Sequence, residues 1–217
     1  MRYQLAVFDL DGTILDTLQD LYLSVNYALQ KNHLPERTLS EIQQFVGNGI
    51  RKLIERSVPA DLSDPEKINQ VYEDFTGYYT QHYADHTMPY EQIIEVIQTI
   101  RHAGLLTAVV SNKADYAVQS LCETYFPALF DSVAGEKAGI PRKPAPDSVL
   151  SVLTALQCSP EQAVYIGDSE IDIETAKNAG LSCISVTWGF RSEAFLKEHH
   201  AGILISTPAE LIPLLCE

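Results

Sequence analysis

Short apolar stretches alternate with longer amphipathic stretches along most of this 217-residue chain. The apolar stretches are rich in β-branched residues and are bounded by glycine or polar residues, which is typical of buried strands. Five strands are predicted: Tyr3–Phe8, Leu105–Val110, Asp131–Ala134, Ala163–Ile166 and Cys183–Val186.

Between most of these strands, apolar side chains recur at the spacing of a helix. The stripes are Ile93, Ile94, Ile97 and Ile100; Val118, Leu121, Cys122 and Tyr125; and Val149, Leu150, Leu153 and Leu156. Thr207 and Pro208 predict the start of a final helix. The alternation predicts an α/β fold, in which helices cover both faces of a parallel sheet.

The interval after the first strand departs from this alternation. From Asp16 to about Tyr83 the periodicity is helical throughout, and Thr38 and Glu41 have the spacing of a capping box. We therefore expect residues 16–87 to form an inserted α-helical cap domain. The catalytic core would then comprise residues 1–15 and 88–217.

Composition and cysteine usage predict a globular protein of the cytoplasm. Hydrophobic residues make up 46% of the chain, yet no apolar run approaches the length of a membrane span. Asp9 interrupts the first apolar stretch too early for a signal peptide. The cysteines, at positions 122, 158, 183 and 216, form no Cys-x-x-Cys pair, so we expect reduced thiols.

The formal net charge of −14 argues against nucleic acid and membrane partners. An anionic substrate would therefore need local attraction, from a metal or a few placed cations. We expect a monomer or a homodimer.

Two carboxylates, Asp9 and Asp11, stand at the carboxyl end of the first predicted strand, followed by Gly12. Open α/β sheets bind their ligands at this edge. Two like charges this close need a cation or a shared proton. An isolated Asp-x-Asp-Gly would more often be a solvated turn, so the remaining motifs decide between the two interpretations.

Polar residues follow further predicted strands in a distinctive order. The motifs are Asp9-Leu10-Asp11-Gly12-Thr13, Val110-Ser111-Asn112-Lys113, Arg142-Lys143-Pro144 and Tyr165-Ile166-Gly167-Asp168-Ser169 through to Asp172. In this order they resemble the haloacid dehalogenase-like hydrolase superfamily, over essentially the whole chain. The resemblance implies a Rossmann-like three-layer α/β/α core with a parallel sheet.

By this resemblance, Asp9 attacks phosphorus and becomes an aspartyl-phosphate. Asp11 protonates the leaving oxygen and then takes a proton from the water that hydrolyses the intermediate. Ser111 holds phosphoryl oxygens, and Lys143 neutralises developing charge and orients Asp9. Thr13, grouped with the substrate-binding residues, supports the loop through its hydroxyl.

The family pattern also implies Mg²⁺, a hard cation that suits carboxylates, phosphate and water. It assigns the ion to Asp9, to the main-chain carbonyl of Asp11 and to Asp168. Asp172 falls on the same helical face as Asp168 and is expected to act through water or hydrogen bonds. Asp168 and Ser169 also suit a helix N-terminus, and both roles are compatible.

The predicted cap contains Gly47-Asn48-Gly49, followed by Arg51. No strand precedes these glycines, so a dinucleotide site is not predicted. Two interpretations stay open: a tight turn between helices, or a loop whose amides and Arg51 face the substrate. An arginine would suit a carboxylate or a second anionic group.

This loop resembles that of phosphoglycolate-phosphatase-like enzymes, and so does Ser111-Asn112-Lys113. Asn112 and Lys113 are therefore candidate substrate contacts, although Lys113 could instead lie on the surface. The chain departs from that subgroup in one place: Pro89 and Tyr90 are followed by Glu91 and Gln92, whereas the subgroup often has a glycine close to this point.

The resemblance thus implies a Mg²⁺-dependent phosphatase for a small phosphorylated metabolite, with 2-phosphoglycolate as the first candidate. A sugar phosphomutase of the β-phosphoglucomutase type shares every core motif, and pyrophosphate or nucleotide hydrolysis is a further alternative. A non-catalytic binding module ranks low, because Asp9, Asp11, Lys143 and Asp168 are all present.

Overall fold

The computed structural model describes residues 3–216. The strands are β1 (Leu5–Phe8), β2 (Leu15–Asp16), β3 (Met88–Pro89), β4 (Leu106–Ala114), β5 (Ser132–Glu136), β6 (Ala163–Gly167), β7 (Ser182–Val186) and β8 (Ile203–Ile205). The α-helices are α1 (Leu18–Lys31), α2 (Leu39–Phe45), α3 (Ile50–Ser57), α4 (Pro65–His82), α5 (Ile93–His102), α6 (Asp115–Tyr125), α7 (Asp147–Ala155), α8 (Glu170–Ala179), α9 (Glu193–Glu198) and α10 (Leu211–Cys216).

Six strands form a parallel sheet in the order β5-β4-β1-β6-β7-β8. The first strand is therefore central. Val7 pairs with Ala108 of β4 on one side and with Tyr165 of β6 on the other.

The strand β1 is apolar throughout because both of its faces are covered. Leu5 and Val7 pack in one cluster with Val149 of α7 and Ala176 of α8. Alternation places Phe8 on the opposite face, where it is also fully buried. The predicted α/β class with a parallel sheet is confirmed.

The structure departs from the predicted elements in three places. The strand β4 continues to Ala114 and does not end at Val110; its pairing with β5 shifts register between these two residues. The strand β8 was not predicted, since three residues are too few to establish a pattern. Leu150, placed on a buried stripe, is 40% exposed, because Val149, Val152 and Leu153 form the packed face of α7.

The chain divides into two compact units, Met1–Asp16 with Pro89–Glu217, and Thr17–Met88. In the second unit, α1 packs against α4 and α2, and α3 packs against α2 and α4. The Thr38–Glu41 capping box is present at the start of α2. The predicted boundaries lie one residue from these, and the role of the second unit as a cap stays a prediction. Within residues 3–216, the helices are all too short or too polar to cross a membrane.

Candidate active site

Four segments that are far apart in the sequence converge at the carboxyl edge of the sheet. Asp9 directly follows β1, and Asp168 directly follows β6. Ser111 lies in the last part of β4, and Lys143 lies in the loop before α7. Because β1 is flanked by β4 and β6, their polar ends are neighbours. All four residues are buried.

Asp9 is held through one carboxylate oxygen. Its Oδ1 accepts a hydrogen bond from the main-chain N–H of Leu10 at 2.7 Å and lies 2.9 Å from the Lys143 ammonium. Burial raises the pKa of Asp9 well above its ordinary value, and the charges of Asp172 and Asp168 raise it further, against the opposing effect of Lys143. Lys143 thus offsets only part of the effect of burial and of the neighbouring carboxylates on Asp9.

The Lys143 ammonium contacts three acceptors: Asp9 Oδ1 at 2.9 Å, Asp172 Oδ1 at 2.8 Å and Tyr165 Oη at 3.0 Å. Burial lowers the pKa of Lys143, but the carboxylates of Asp172 and Asp9 outweigh it and raise the pKa overall. Lys143 is thus a fixed cation inside the site.

Two residues that hold Lys143 were given other roles, or none, from the sequence. The Asn112 amide donates to the Lys143 carbonyl at 3.1 Å and accepts from its N–H at 2.9 Å. Asn112 was predicted to contact substrate, and that contact stays a prediction. The Tyr165 hydroxyl had no predicted role, although the residue lies within a recognised motif. The one sequence signal for Tyr165 was its place in the fourth motif, three residues before Asp168.

Asp168 is fixed by the segment after β7. Its Oδ2 accepts from the Phe190 N–H at 2.7 Å, and its Oδ1 lies 3.3 Å from the hydroxyl of Thr13. Burial, followed by the charge of Asp172, raises the pKa of Asp168 to about 7. Thr13 is fully buried, and its carbonyl accepts from the Trp188 indole N–H at 3.1 Å. The Thr13 hydroxyl thus links the loop after β1 to Asp168, and its contact with substrate stays a prediction.

Asp172, in the first turn of α8, has two side-chain partners, Lys143 and Ser169. One oxygen meets Lys143, and the other accepts from the N–H and the hydroxyl of Ser169 at 3.1 and 2.6 Å. Ser169 and Asp172 form the capping box of α8. The capping role expected for Ser169 is present beside the site.

The donor set of this cluster fits a hard divalent cation. Carboxylate oxygens of Asp9, Asp168 and Asp172 lie within 4.8 Å of one another, and all three residues are buried. Lys143 is the cation that contacts two of them. Oxygen ligands and excess negative charge are what Mg²⁺ requires. Asp172 binds the Lys143 ammonium through one oxygen and caps α8 through the other, whereas the family pattern assigns the ion to Asp9 and Asp168.

Lys113 lies beside the second aspartate of the first motif. Its ammonium is 2.9 Å from Asp11 Oδ1, and its side chain is 3% exposed. The alternative that placed Lys113 on the surface is therefore wrong. The main-chain N–H of Lys113 also donates to Ser111 Oγ at 3.2 Å. The end of β4 thus places the Lys113 ammonium against Asp11, with Ser111 hydrogen-bonded to the Lys113 main chain.

The predicted substrate residues of the second unit lie between α2 and α3. Gly47 and Gly49 have φ values of 122° and 81°, so the loop is a tight turn that favours glycine. Arg56 donates to Asn48 Oδ1 at 2.7 Å. Arg51 donates to Asn69 and Glu55, at 2.6 and 3.2 Å. The predicted contact of this loop and of Arg51 with substrate stays a prediction.

Known proteins resemble this chain along nearly all of its length. The sequence model of the haloacid dehalogenase-like hydrolases matches residues 6–186. A phosphoglycolate phosphatase of Mesorhizobium japonicum is 31% identical over 95% of this chain and 92% of its own. A phosphoglycolate phosphatase of Aquifex aeolicus is 28% identical over 98% of this chain and 96% of its own.

Solved structures agree. A Lactobacillus delbrueckii subsp. bulgaricus protein, assigned as a phosphoglycolate phosphatase, superposes with a TM-score of 0.95 at 38% identity, covering 100% of both chains. A Haemophilus somnus protein, also assigned as a phosphoglycolate phosphatase, superposes with a TM-score of 0.90 at 25% identity, covering 99% of this chain and 98% of its own. The resemblance predicted from the four motifs is confirmed.

Proposed function

This chain belongs to the haloacid dehalogenase-like hydrolase family and is an enzyme of its phosphatase type, and we propose that it uses Mg²⁺ to hydrolyse a small phosphomonoester. The first candidate substrate is 2-phosphoglycolate, the substrate in the names of its relatives. The observation that carries the proposal is the buried cluster of Asp9, Asp168 and Asp172 around the Lys143 ammonium.

Asp9 is the proposed nucleophile. Lys143 and the Leu10 N–H both hold Oδ1, which leaves Oδ2 for attack on phosphorus. A bond forms between Oδ2 and phosphorus while the bond from phosphorus to the substrate alcohol oxygen breaks. Mg²⁺, held by Asp9, Asp168 and the Asp11 carbonyl, would neutralise charge on the phosphoryl oxygens when bound.

Asp11 is the proposed acid and base. It gives its proton to the leaving alcohol oxygen and later accepts one from the water that attacks the aspartyl-phosphate. That second step breaks the bond between phosphorus and Oδ2 and releases phosphate, so Asp9 and Asp11 return to their starting states. Lys113 fixes Oδ1 of Asp11 and leaves Oδ2 for the proton. Ser111 holds a phosphoryl oxygen.

The helical second unit is proposed to select the substrate as a cap. Its candidates are the Gly47-Asn48-Gly49 amides and Arg51, whose guanidinium suits the carboxylate of a phosphorylated acid. Arg51→Gln should raise KM for 2-phosphoglycolate and leave kcat nearly unchanged. Lys52→Gln is the neighbouring control, since Lys52 is a half-exposed partner of Glu55.

A phosphate-release screen tests the proposed reaction. The purified protein is assayed with 2-phosphoglycolate, sugar phosphates, nucleotides and pyrophosphate, with Mg²⁺ or with chelator. We expect Mg²⁺-dependent turnover that Asp9→Asn abolishes and Asp147→Asn preserves. Mg²⁺-dependent turnover that survives Asp9→Asn would overturn the assigned nucleophile. Accumulation of an isomerised sugar phosphate would favour the mutase instead. We also propose that the protein acts in the cytoplasm, as expected from its cysteine usage.

A further inference from the structure

The Lys143 ammonium has no proton left for the substrate. An ammonium carries three donors, and the three acceptors around Lys143 are Asp9 Oδ1, Asp172 Oδ1 and Tyr165 Oη. Two of these acceptors are carboxylates of the proposed site. The third is a neutral phenol on β6, buried completely.

The direction of the Tyr165 hydroxyl is set from the other side of the central strand. Its proton goes to the Val110 carbonyl of β4 at 2.9 Å. Because β1 lies between β4 and β6, the phenol crosses the strand that carries Asp9. With its proton directed at Val110, the phenol oxygen offers only lone pairs to Lys143.

We propose that Tyr165 is a positioning residue for the phosphoryl transfer: its phenol oxygen takes the third proton of Lys143 and thereby commits the ammonium to Asp9 and Asp172. This inference rests on the proposed function. Without the phenol oxygen, the ammonium can rotate toward the phosphoryl group and loosen its hold on Asp9 Oδ1. The attacking oxygen then loses its alignment with phosphorus.

Tyr165→Phe isolates this contribution, because the ring is kept and only the hydroxyl is lost. The Lys143 Nζ atom lies 5.5 Å from the ring centroid, and a phenylalanine preserves that contact. We expect kcat to fall roughly ten- to a hundredfold, as for other small displacements of reacting groups. KM should stay within about twofold, since the substrate does not touch the phenol.

The chain offers a matched control in Thr107. Its buried hydroxyl lies on the same sheet, accepts from the cation Arg101 at 2.9 Å and donates to the Leu129 carbonyl, as Tyr165 does with Lys143 and Val110. Thr107→Val therefore removes an equivalent pair of hydrogen bonds away from the site. It should lower stability and leave kcat unchanged.

A second measurement reports the contact without turnover. The side-chain ¹H–¹⁵N signal of the Lys143 ammonium, assigned by its loss in Lys143→Arg, should shift in Tyr165→Phe and not in Thr107→Val. If Tyr165→Phe folds poorly, 3-fluorotyrosine at position 165 keeps the shape and weakens the acceptor, and a smaller fall in kcat is expected.

The outcomes separate the two proposals. A wild-type protein without turnover in the full screen contradicts the proposed function. An active wild type whose kcat is unchanged by Tyr165→Phe, or whose KM rises instead, overturns the role of Tyr165 alone. An equal loss of kcat in Thr107→Val would also overturn it, because a general loss of structure would then explain both.

Discussion

The side-chain amide of Asn112 forms hydrogen bonds with both main-chain polar groups of Lys143, at 2.9 and 3.1 Å. This pairing ties β4 to the loop before α7 and fixes the backbone from which the ammonium reaches Asp9. Asn112 thus sets the position of the charged end of Lys143 through the main chain of that residue.

Asn112→Ala should therefore reduce kcat by roughly tenfold or more, through misplacement of Lys143. The loss of two buried hydrogen bonds should also cost about 1–3 kcal/mol in the free energy of unfolding. Steady-state kinetics and urea unfolding measure both effects. Asn178→Ala is the control, because Asn178 donates to the Pro144 carbonyl of the same loop at 2.9 Å but is exposed. Equal kcat values for the two variants would contradict the role given to Asn112.

Lys113→Met should lower kcat by about a hundredfold, the contribution expected of a positioned acid–base group. The buried ammonium is the partner of Asp11, and its loss leaves that carboxylate free to turn. The measurement is kcat with the best substrate of the screen at saturating Mg²⁺. Lys137→Met, which removes a half-exposed lysine 3.3 Å from Asp115, should retain full activity. Full activity in Lys113→Met would remove this lysine from the mechanism.

Gly189→Ala should raise the Mg²⁺ concentration for half-maximal activity by roughly tenfold. An added Cβ would lie 2.3 Å from the Gly12 carbonyl oxygen, 2.4 Å from the Cβ of Asp168 and 2.6 Å from its Oδ2, so the Asp168 side chain and the Gly12 backbone must give way. Activity titrations with Mg²⁺ measure the change. At Gly202, an added Cβ meets nothing within 4 Å, and Gly202→Ala should leave the titration unchanged. An unaltered Mg²⁺ requirement in Gly189→Ala would argue against Asp168 as a ligand.

Asp131 makes stability depend on pH. Partial burial raises the pKa of Asp131, but hydrogen bonds from Arg101 and from the Thr107 N–H outweigh it, so the pKa lies below its ordinary value. A lowered pKa stabilises the fold above the unfolded value, about 4, and this contribution disappears as pH falls through the folded value. Asp131→Asn should therefore be less stable than wild type at pH 7.

The difference between wild type and Asp131→Asn should shrink steadily as the pH is lowered below about 4. Urea unfolding across this range measures it. A difference that stays constant with pH would show that the charge of Asp131 contributes nothing to stability.

The sequence was sufficient to predict which motifs converge, because the carboxyl ends of parallel strands share one edge. Asp9, Ser111 and Asp168 could be placed together from strand ends alone. The sequence was not sufficient to predict the contacts of Tyr165. Its hydroxyl reaches Val110 of β4 across β1, which lies between β4 and β6 in the sheet. Strand order is a tertiary property that periodicity along the chain does not contain.

The same limit applies to Lys113 and Leu150. The register shift at the end of β4 precedes Ala114, and alternation alone does not predict where Lys113 points after it. Leu150 fits a helical stripe, but the face of α7 that packs is chosen by the sheet beneath it. In both cases the deciding contact is with an element distant in sequence.

The central place of β1 has a consequence for biosynthesis. The strand β1 is synthesised before both of its sheet neighbours, which pair with it through residues 106–109 and 163–166. The helical contacts within Thr17–Met88 can form long before then. The apolar strand β1 therefore has no sheet partner until residues 106–109 are made and only one until residues 163–166 are made, and it is exposed to aggregation during that time. A nascent chain that stops before Ala163 would leave one edge of β1 open, with the nucleophile strand available to pair with another molecule.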